Sequence, residues 1–254
     1  MLCILSPAKT LDLTPHPSPQ PSSQPLLLGE SAPLAVLGAG LSVAALRKLM
    51  KLSEALAEKT ASQFSAFELP FTDDNTLPAA LTFAGTVYQG LDARTLSDDD
   101  LRYAHSHLAI LSGLYGVLRP LDGMQPYRLE MGTRLETPRG KGLYAYWGER
   151  VTAQLDAMTV GHRDRTVVDL ASQEYSRVVQ PEGLAGGMLR VKFKERKDGV
   201  LKTVAVYAKR ARGELARYAV VERLEEPGGL RGFTGMGYRY DAAASAAGEW
   251  VFTR

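Results

Sequence analysis

The chemistry this sequence can offer is concentrated in its cations. Residues 188–217 hold ten of them (Arg190, Lys192, Lys194, Arg196, Lys197, Lys202, Lys209, Arg210, Arg212 and Arg217) against three acids, Glu195, Asp198 and Glu214. Arginine offers phosphate a planar, bidentate fork, and lysine offers a compact point charge. A cluster with so few acids points to an external anion rather than to internal ion pairs. Each phosphate contact would make binding steeply salt-dependent. The spacing puts Lys209, Arg210 and Arg212 beside Gly213 at a strand-to-helix junction, where free backbone N–H groups and the helix dipole already favour an anion. For Lys192–Lys202 an ordinary solvated hairpin is an equal alternative.

Other polar groups gather at the ends of apolar runs. Ser6 and Lys9 follow the first run, in a tetrapeptide with the spacing of a serine nucleophile and a lysine base. No S-D-N or K-T-G follows, so the better reading is a polar loop at a cleft mouth, with Lys9 free to meet an anion. The segment 104–132 stops an apolar run at Ser112, turns through Gly113, Tyr115 and Gly116, and then carries Arg119, Asp122, Tyr127, Arg128 and Glu130. Tyr88 and Gln89 follow a strand-like stretch, and Ser172, Gln173, Glu174 and Tyr175 follow another. Polar residues at a strand end and helix start are the usual location of a site in an α/β sheet. Ser172 serves equally well as a simple helix cap.

The elements that must position these groups read as follows. Residues 1–5 form a buried strand, and the proline-rich stretch 15–25 an extended surface loop. Residues 30–37 form a helix, stopped by Gly38 and Gly40; this pair opens a dinucleotide fingerprint, but Val43 stands where its third glycine should be. Amphipathic helices cover 43–67, with Ser42 as cap. A strand spans 81–87, and Ser97 caps a helix carrying Asp98, Asp99 and Asp100 in its first turn. His105 and His107 are two apart and point in different directions on a helix, which argues against a shared metal. Residues 143–158 are helical, and 166–171 form a central strand. Residues 189–197 and 201–209 form a hairpin about Asp198-Gly199, followed by a helix through Leu224. Strands at 237–240 and 250–252 close the fold.

Composition narrows the classes. The chain has 254 residues, 45% hydrophobic and 23% charged, enough for a sizeable core. Residues 1–110 carry seven Lys/Arg against eleven Asp/Glu, and the rest 23 against 17, so the overall charge of +2 hides a basic second half. Cys3 is the single cysteine, which excludes an internal disulfide and any multi-cysteine metal site and suits a reducing cytoplasm. No stretch has the length of a membrane span and the first residues lack the pattern of a signal peptide, so a cytoplasmic protein without membrane contact is expected.

The chain resembles the YaaA family of bacterial peroxide-stress proteins. The blocks that carry the resemblance run nearly end to end: SPAKTLD at 6–12, VYQGLDA at 87–93, HLAILSGLYGVLRPLDGMQPYRLEMGT at 107–133, LYAYWG at 143–148, LASQEY at 170–175 and YAKRARGELARY at 207–218. The resemblance implies a single-domain α/β fold over residues 1–254, a mixed sheet flanked by helices likened to a cantaloupe. It also implies a helix-hairpin-helix-like element at Leu108–Leu121 with Gly113 and Gly116 as turn glycines, DNA binding in a positive cleft, and limitation of free-iron-driven damage. The residues alone leave that element open, since Pro120 would end its second helix at once and Leu108–Leu111 suits a strand equally well.

The leading expectation is therefore a stress protein that binds DNA through phosphates, by shape or structure rather than base sequence, with no cofactor, metal site or catalytic residue assigned. Lys9, Arg119, Arg128, Lys192, Lys194, Lys209, Arg210 and Arg212 would contact phosphate. Ser6, Tyr88, Gln89, Gly113, Tyr115, Gly116, Tyr127, Glu130, Ser172, Gln173, Glu174 and Tyr175 would line the cleft. The alternative is an enzyme acting on a nucleotide or other phosphorylated small molecule in the same cleft. Convergence on one deep pocket favours the enzyme, and a wide basic groove favours DNA.

Overall fold

The computed structural model describes residues 1–15 and 22–254, so residues 16–21 of the expected proline-rich loop lie outside the described residues. As expected, the architecture is α/β: a mixed eight-stranded sheet flanked by helices around one continuous core. The strands are β1 (Leu2–Leu5), β2 (Leu108–Ser112), β3 (Gly116–Leu118), β4 (Val167–Asp169), β5 (Met188–Lys197), β6 (Val200–Lys202), β7 (Arg239–Tyr240) and β8 (Glu249–Thr253). Their order is β7-β8-β5-β4-β1-β2-β3, with β6 folded back on β5. Strands β8, β5, β4, β1 and β2 run parallel, and β3, β6 and β7 run antiparallel to their neighbours.

The helices that matter are α1 (Leu28–Ala39), α2 (Val43–Met50), α3 (Glu54–Ser65), α4 (Thr86–Leu91), α5 (Asp98–His107), α6 (Leu143–Trp147), α7 (Arg150–Met158), α8 (Gln173–Ser176) and α9 (Ala205–Val221). Serines cap three of them. Ser42 and Ser53 accept backbone N–H groups of α2 and α3, and Ser97 forms a reciprocal capping box with Asp100 on α5. No single helix among the described residues is long and apolar enough to cross a membrane.

Strand β1 lies at the centre of the sheet because its four residues are apolar on both faces and all are buried, the pattern of a parallel strand covered on both sides. Its neighbours are β2 on one side and β4 on the other. From β1 the chain first builds outward through β2 and β3, and later builds the other way through β4, β5 and β8. The order therefore reverses between β1 and β4, and in open α/β sheets the crevice beyond the carboxyl ends at such a point is where ligands bind.

Four local expectations are corrected. Leu108–Leu121 is not a helix-hairpin-helix but the strand pair β2–β3. All five residues of β2 are buried and their backbone is spent on β1 and β3, which leaves no room for a helix. The turn is closed by Ser112 Oγ, which accepts the Tyr115 N–H at 2.9 Å, and by Gly116 at φ +68°. Residues 81–87 are not a strand. They comprise the end of a helical turn at Ala79–Thr82, a two-residue strand at Phe83–Ala84 paired with Thr10–Leu11, and the start of α4. The return strand of the basic hairpin ends at Lys202 instead of Lys209, because Ala208, Ala211, Leu215, Ala216 and Ala219 recur at helical spacing and bury one face of α9. Lys209, Arg210 and Arg212 therefore lie inside α9, past its first four residues and its free amides, and the anion site expected at a helix start is not formed by them.

Helix α9 crosses α4 at backbone contact. A Cβ on Gly213 would come within 1.8 Å of Val87 O, and one on Gly90 within 2.2 Å of Arg210 O. Only glycine permits so close an approach, and it brings the basic turn of α9 against Tyr88.

Candidate functional site

A cavity of about 610 Å³ opens at the reversal point between β1 and β4. Its floor is a junction of two strand ends. Ser6 Oγ accepts the Ser172 N–H at 2.8 Å and its hydroxyl donates to Ser172 Oγ at 3.2 Å. Ser172 also precedes α8 with extended backbone, but its side chain caps nothing there. Tyr88 on α4 donates its hydroxyl to Ser6 O at 3.0 Å, tying the helix to the same junction.

The charged wall follows β3. Glu130 meets Lys9 Nζ at 2.8 Å and the Arg128 guanidinium at 4.0 Å, so one carboxylate is shared by two cations. Arg128 is largely buried and its Nε has no hydrogen-bond partner among the described residues. Glu174 accepts the Gly132 N–H at 3.0 Å. Opposite stand Lys209, exposed on α9, and Arg212, half-buried on the same helix. Burial holds the Arg212 guanidinium below its ordinary pKa, against the raising influence of Asp169. Its Nε also lacks a partner among the described residues. A buried guanidinium N–H without a partner carries a desolvation cost that an incoming anion would remove.

Aromatic rings complete the lining. Tyr88, Tyr127 and Tyr175 are buried, and burial raises each phenol, so all three remain protonated donors at neutral pH. Tyr127 shares a 2.7 Å hydrogen bond with Ser112 Oγ at the end of β2. The cavity thus combines apolar faces with a few convergent cations and hydroxyls, the usual make-up of a small-molecule site.

Of the expected site residues, Ser6, Lys9, Tyr88, Tyr127, Arg128, Glu130, Ser172, Gln173, Glu174, Tyr175, Lys209 and Arg212 line this one cavity. The others lie elsewhere. Arg119 pairs with the buried Asp122 at 2.8 Å, beside His105. Arg210 turns away to pair with Glu214 at 3.1 Å, in a shallow groove that also contains Gln89. Lys192 pairs with Glu249 at 2.6 Å on the sheet face, and Lys194 follows it along β5, also off the cavity. Gly113, Tyr115 and Gly116 are core residues. Tyr115 OH bridges the backbone C=O and N–H of Gln125, and Trp147 donates its indole N–H to Gly113 O.

Asp169 was missed by the sequence reading. It is the last residue of β4, is 6% exposed, and accepts the Ala171 N–H at 2.9 Å and the Ser176 hydroxyl at 2.7 Å. Burial raises its pKa against those hydrogen bonds and against the charges of Arg212 and Arg190. The signal available was a lone carboxylate in the β-branched run TVVDLA, where the sheet interior has no use for one.

Comparison with known proteins agrees over the whole length. A family model described as peroxide stress protein YaaA matches residues 1–244. A UPF0246 protein of Magnetococcus marinus is 48% identical over 254 residues, covering all of this chain and 99% of its own. A UPF0246 protein of Ralstonia nicotianae is also 48% identical, and one of Bordetella pertussis 46%, each over the same span. With matches of this extent and identity, the chain belongs to the peroxide stress protein YaaA family.

Proposed function

We propose that the cavity between β1 and β4 binds a phosphorylated small molecule, of which a nucleotide is the best-fitting class, and that this binding serves the stress-related role of the family. The observation that carries the reading is convergence. Lys9, Arg128 and the α9 pair Lys209 and Arg212 come from three separate segments to one cavity, and both guanidiniums have Nε groups without a hydrogen-bond partner among the described residues. The phenols and the apolar wall suit a base or sugar, and the cations suit its phosphate. The carboxylates of Glu130 and Glu174 give the same cavity groups that could move a proton, which supports the enzyme alternative over passive binding.

Equilibrium titration with AMP, with orthophosphate as competitor, tests this reading. Arg128→Ala and Arg212→Ala are each expected to weaken AMP binding by about tenfold or more, the cost of one charge-assisted hydrogen bond. Wild-type protein that ignores AMP, or variants that bind it unchanged, would overturn the reading.

A second reading, DNA binding through phosphates, has its own support. Lys197 and Lys202 on the β5–β6 hairpin and Lys209 on α9 are exposed and have no acidic partner within 4 Å among the described residues. Protection of DNA would be the route by which the protein limits free-iron-driven damage. Duplex binding measured across a salt series should weaken with salt, and Lys202→Ala/Lys209→Ala should shallow the slope. Affinity indifferent to both would end this reading.

A further inference from the structure

We infer that a second cavity, on the polar face of the sheet, is an additional anion subsite joined to the first, so that the full ligand carries two anionic groups. This rests on the phosphate reading of the first cavity. The second cavity has a volume of about 670 Å³ and lies over β4, β5 and β8. It shares Gln173 and Arg212 with the first, so the two meet at that guanidinium.

The sheet register sets the chemistry of the second cavity. Asp169 on β4 lies beside Arg190 on β5, and Arg190 lies beside Glu249 on β8. The row alternates acid and base, and the close hydrogen bonds and ion pairs of both acids are made to other groups. Asp169 accepts from Ala171 N–H and the Ser176 hydroxyl, and Glu249 pairs with Lys192 at 2.6 Å. Arg190 has no acidic partner within 4 Å among the described residues, although it stands between two carboxylates. Arg177 lies on the rim of the same cavity, its guanidinium stacked on the Tyr144 ring at 5.0 Å, and has no acidic partner within 4 Å among the described residues. Arg212 completes the trio, with its Nε unsatisfied. Three arginines line one cavity with no carboxylate within 4 Å among the described residues, although the charge of Asp169 reaches Arg190 and Arg212, while most other arginines among the described residues pair with an acid. Arg212 stands between the two cavities and can serve both anionic groups, one on each side.

The ligand class this predicts is a bis-phosphorylated small molecule with its phosphates on different parts of the molecule, for which adenosine 3′,5′-bisphosphate is a suitable probe. Calorimetric titration of the wild type should show this probe binding at least tenfold tighter than AMP. Arg190→Ala, at an exposed position, should abolish that advantage and leave AMP affinity unchanged. Arg128→Ala should weaken both ligands. Equal binding of the two ligands by the wild type, or equal weakening of both by Arg190→Ala, would overturn the second subsite and leave the first cavity's reading standing. If AMP fails to bind while the bisphosphate binds through Arg190, the first reading falls and the subsite stands. Binding of neither overturns both.

Discussion

Lys9 and Glu130 meet at 2.8 Å across the mouth of the cavity, joining the segment after the first strand to one that arrives more than a hundred residues later. The pair also restrains the anion site, because Glu130 draws on the charge of Lys9 and of Arg128, 4.0 Å away. Lys9 is 64% exposed, so the ion pair itself contributes at most about 1 kcal/mol.

Glu130→Gln is therefore expected to leave the midpoint of urea unfolding nearly unchanged and to tighten AMP binding several-fold by releasing both cations. Weaker binding would show instead that Glu130 orients the cations productively, or contacts the ligand itself.

Gly213→Ala should damage the fold far more than its size suggests. The added methyl would lie 1.8 Å from Val87 O, a backbone atom that cannot step aside, so α9 and α4 must separate. Overpacking of this kind costs about 1–3 kcal/mol, and a backbone neighbour puts this site at the upper end. Gly228→Ala, with nothing within 4 Å of the new methyl, is the control and should stay within about 0.5 kcal/mol of the wild type. Thermal denaturation of the two variants side by side makes the comparison.

Tyr115→Phe separates structure from site. The hydroxyl both donates to and accepts from the backbone of Gln125 in the core. Its loss leaves buried backbone groups without a partner, at about 1–3 kcal/mol. AMP affinity of the folded variant should match the wild type, since Tyr115 lies off the cavity. A large loss of affinity with unchanged stability would return Tyr115 to the site.

Acid should weaken the protein through His162. Burial, with the N-terminal charge and His107 adding to it, lowers this imidazole from its ordinary 6.5 to about 4. The unfolded chain thus takes up a proton that the folded chain refuses. The contribution of His162 is complete above pH 6.5 and falls away as pH drops toward 4. His107, stacked on His162 at 4.6 Å, is lowered in the same direction by burial. Urea midpoints measured from pH 7.5 to 4.5 should fall more steeply for the wild type than for His162→Gln, and parallel curves would refute the assignment.

Much of the sheet was legible because each strand states its environment. LCIL is apolar on both faces and TVVDLA is apolar but for Asp169, and both became central strands, while the helices with serine caps began where the caps stood. What was illegible depended on contacts between distant segments. Nothing local distinguishes residues 205–209 as helix from the continuation of an alternating strand until Ala208, Ala211 and Leu215 find a common core. The stretch 81–87 has strand composition, yet its end is drawn into α4 by a crossing that two glycines permit. For the site, residue type was readable and direction was not. Arg210 and Arg212 are two apart on one helix, and this alone sends the first to Glu214 and the second into the cavity.

The central position of β1 has a consequence for how the site comes to exist. The partners of this strand lie more than 100 and more than 160 residues downstream, and the last cation of the cavity is Arg212. At ordinary synthesis rates, Arg212 follows Lys9 off the ribosome by roughly 10–40 s. Until Leu108–Ser112 and then Val167–Asp169 have been made, Leu2–Leu5 is an apolar strand with one or both edges unpaired, the kind of segment that recruits stray chains. Slow, non-local closure is the kinetic signature expected of such a topology. The anion site is thus among the last features the growing chain acquires, and a prematurely terminated chain would carry the hazard of β1 without the pocket.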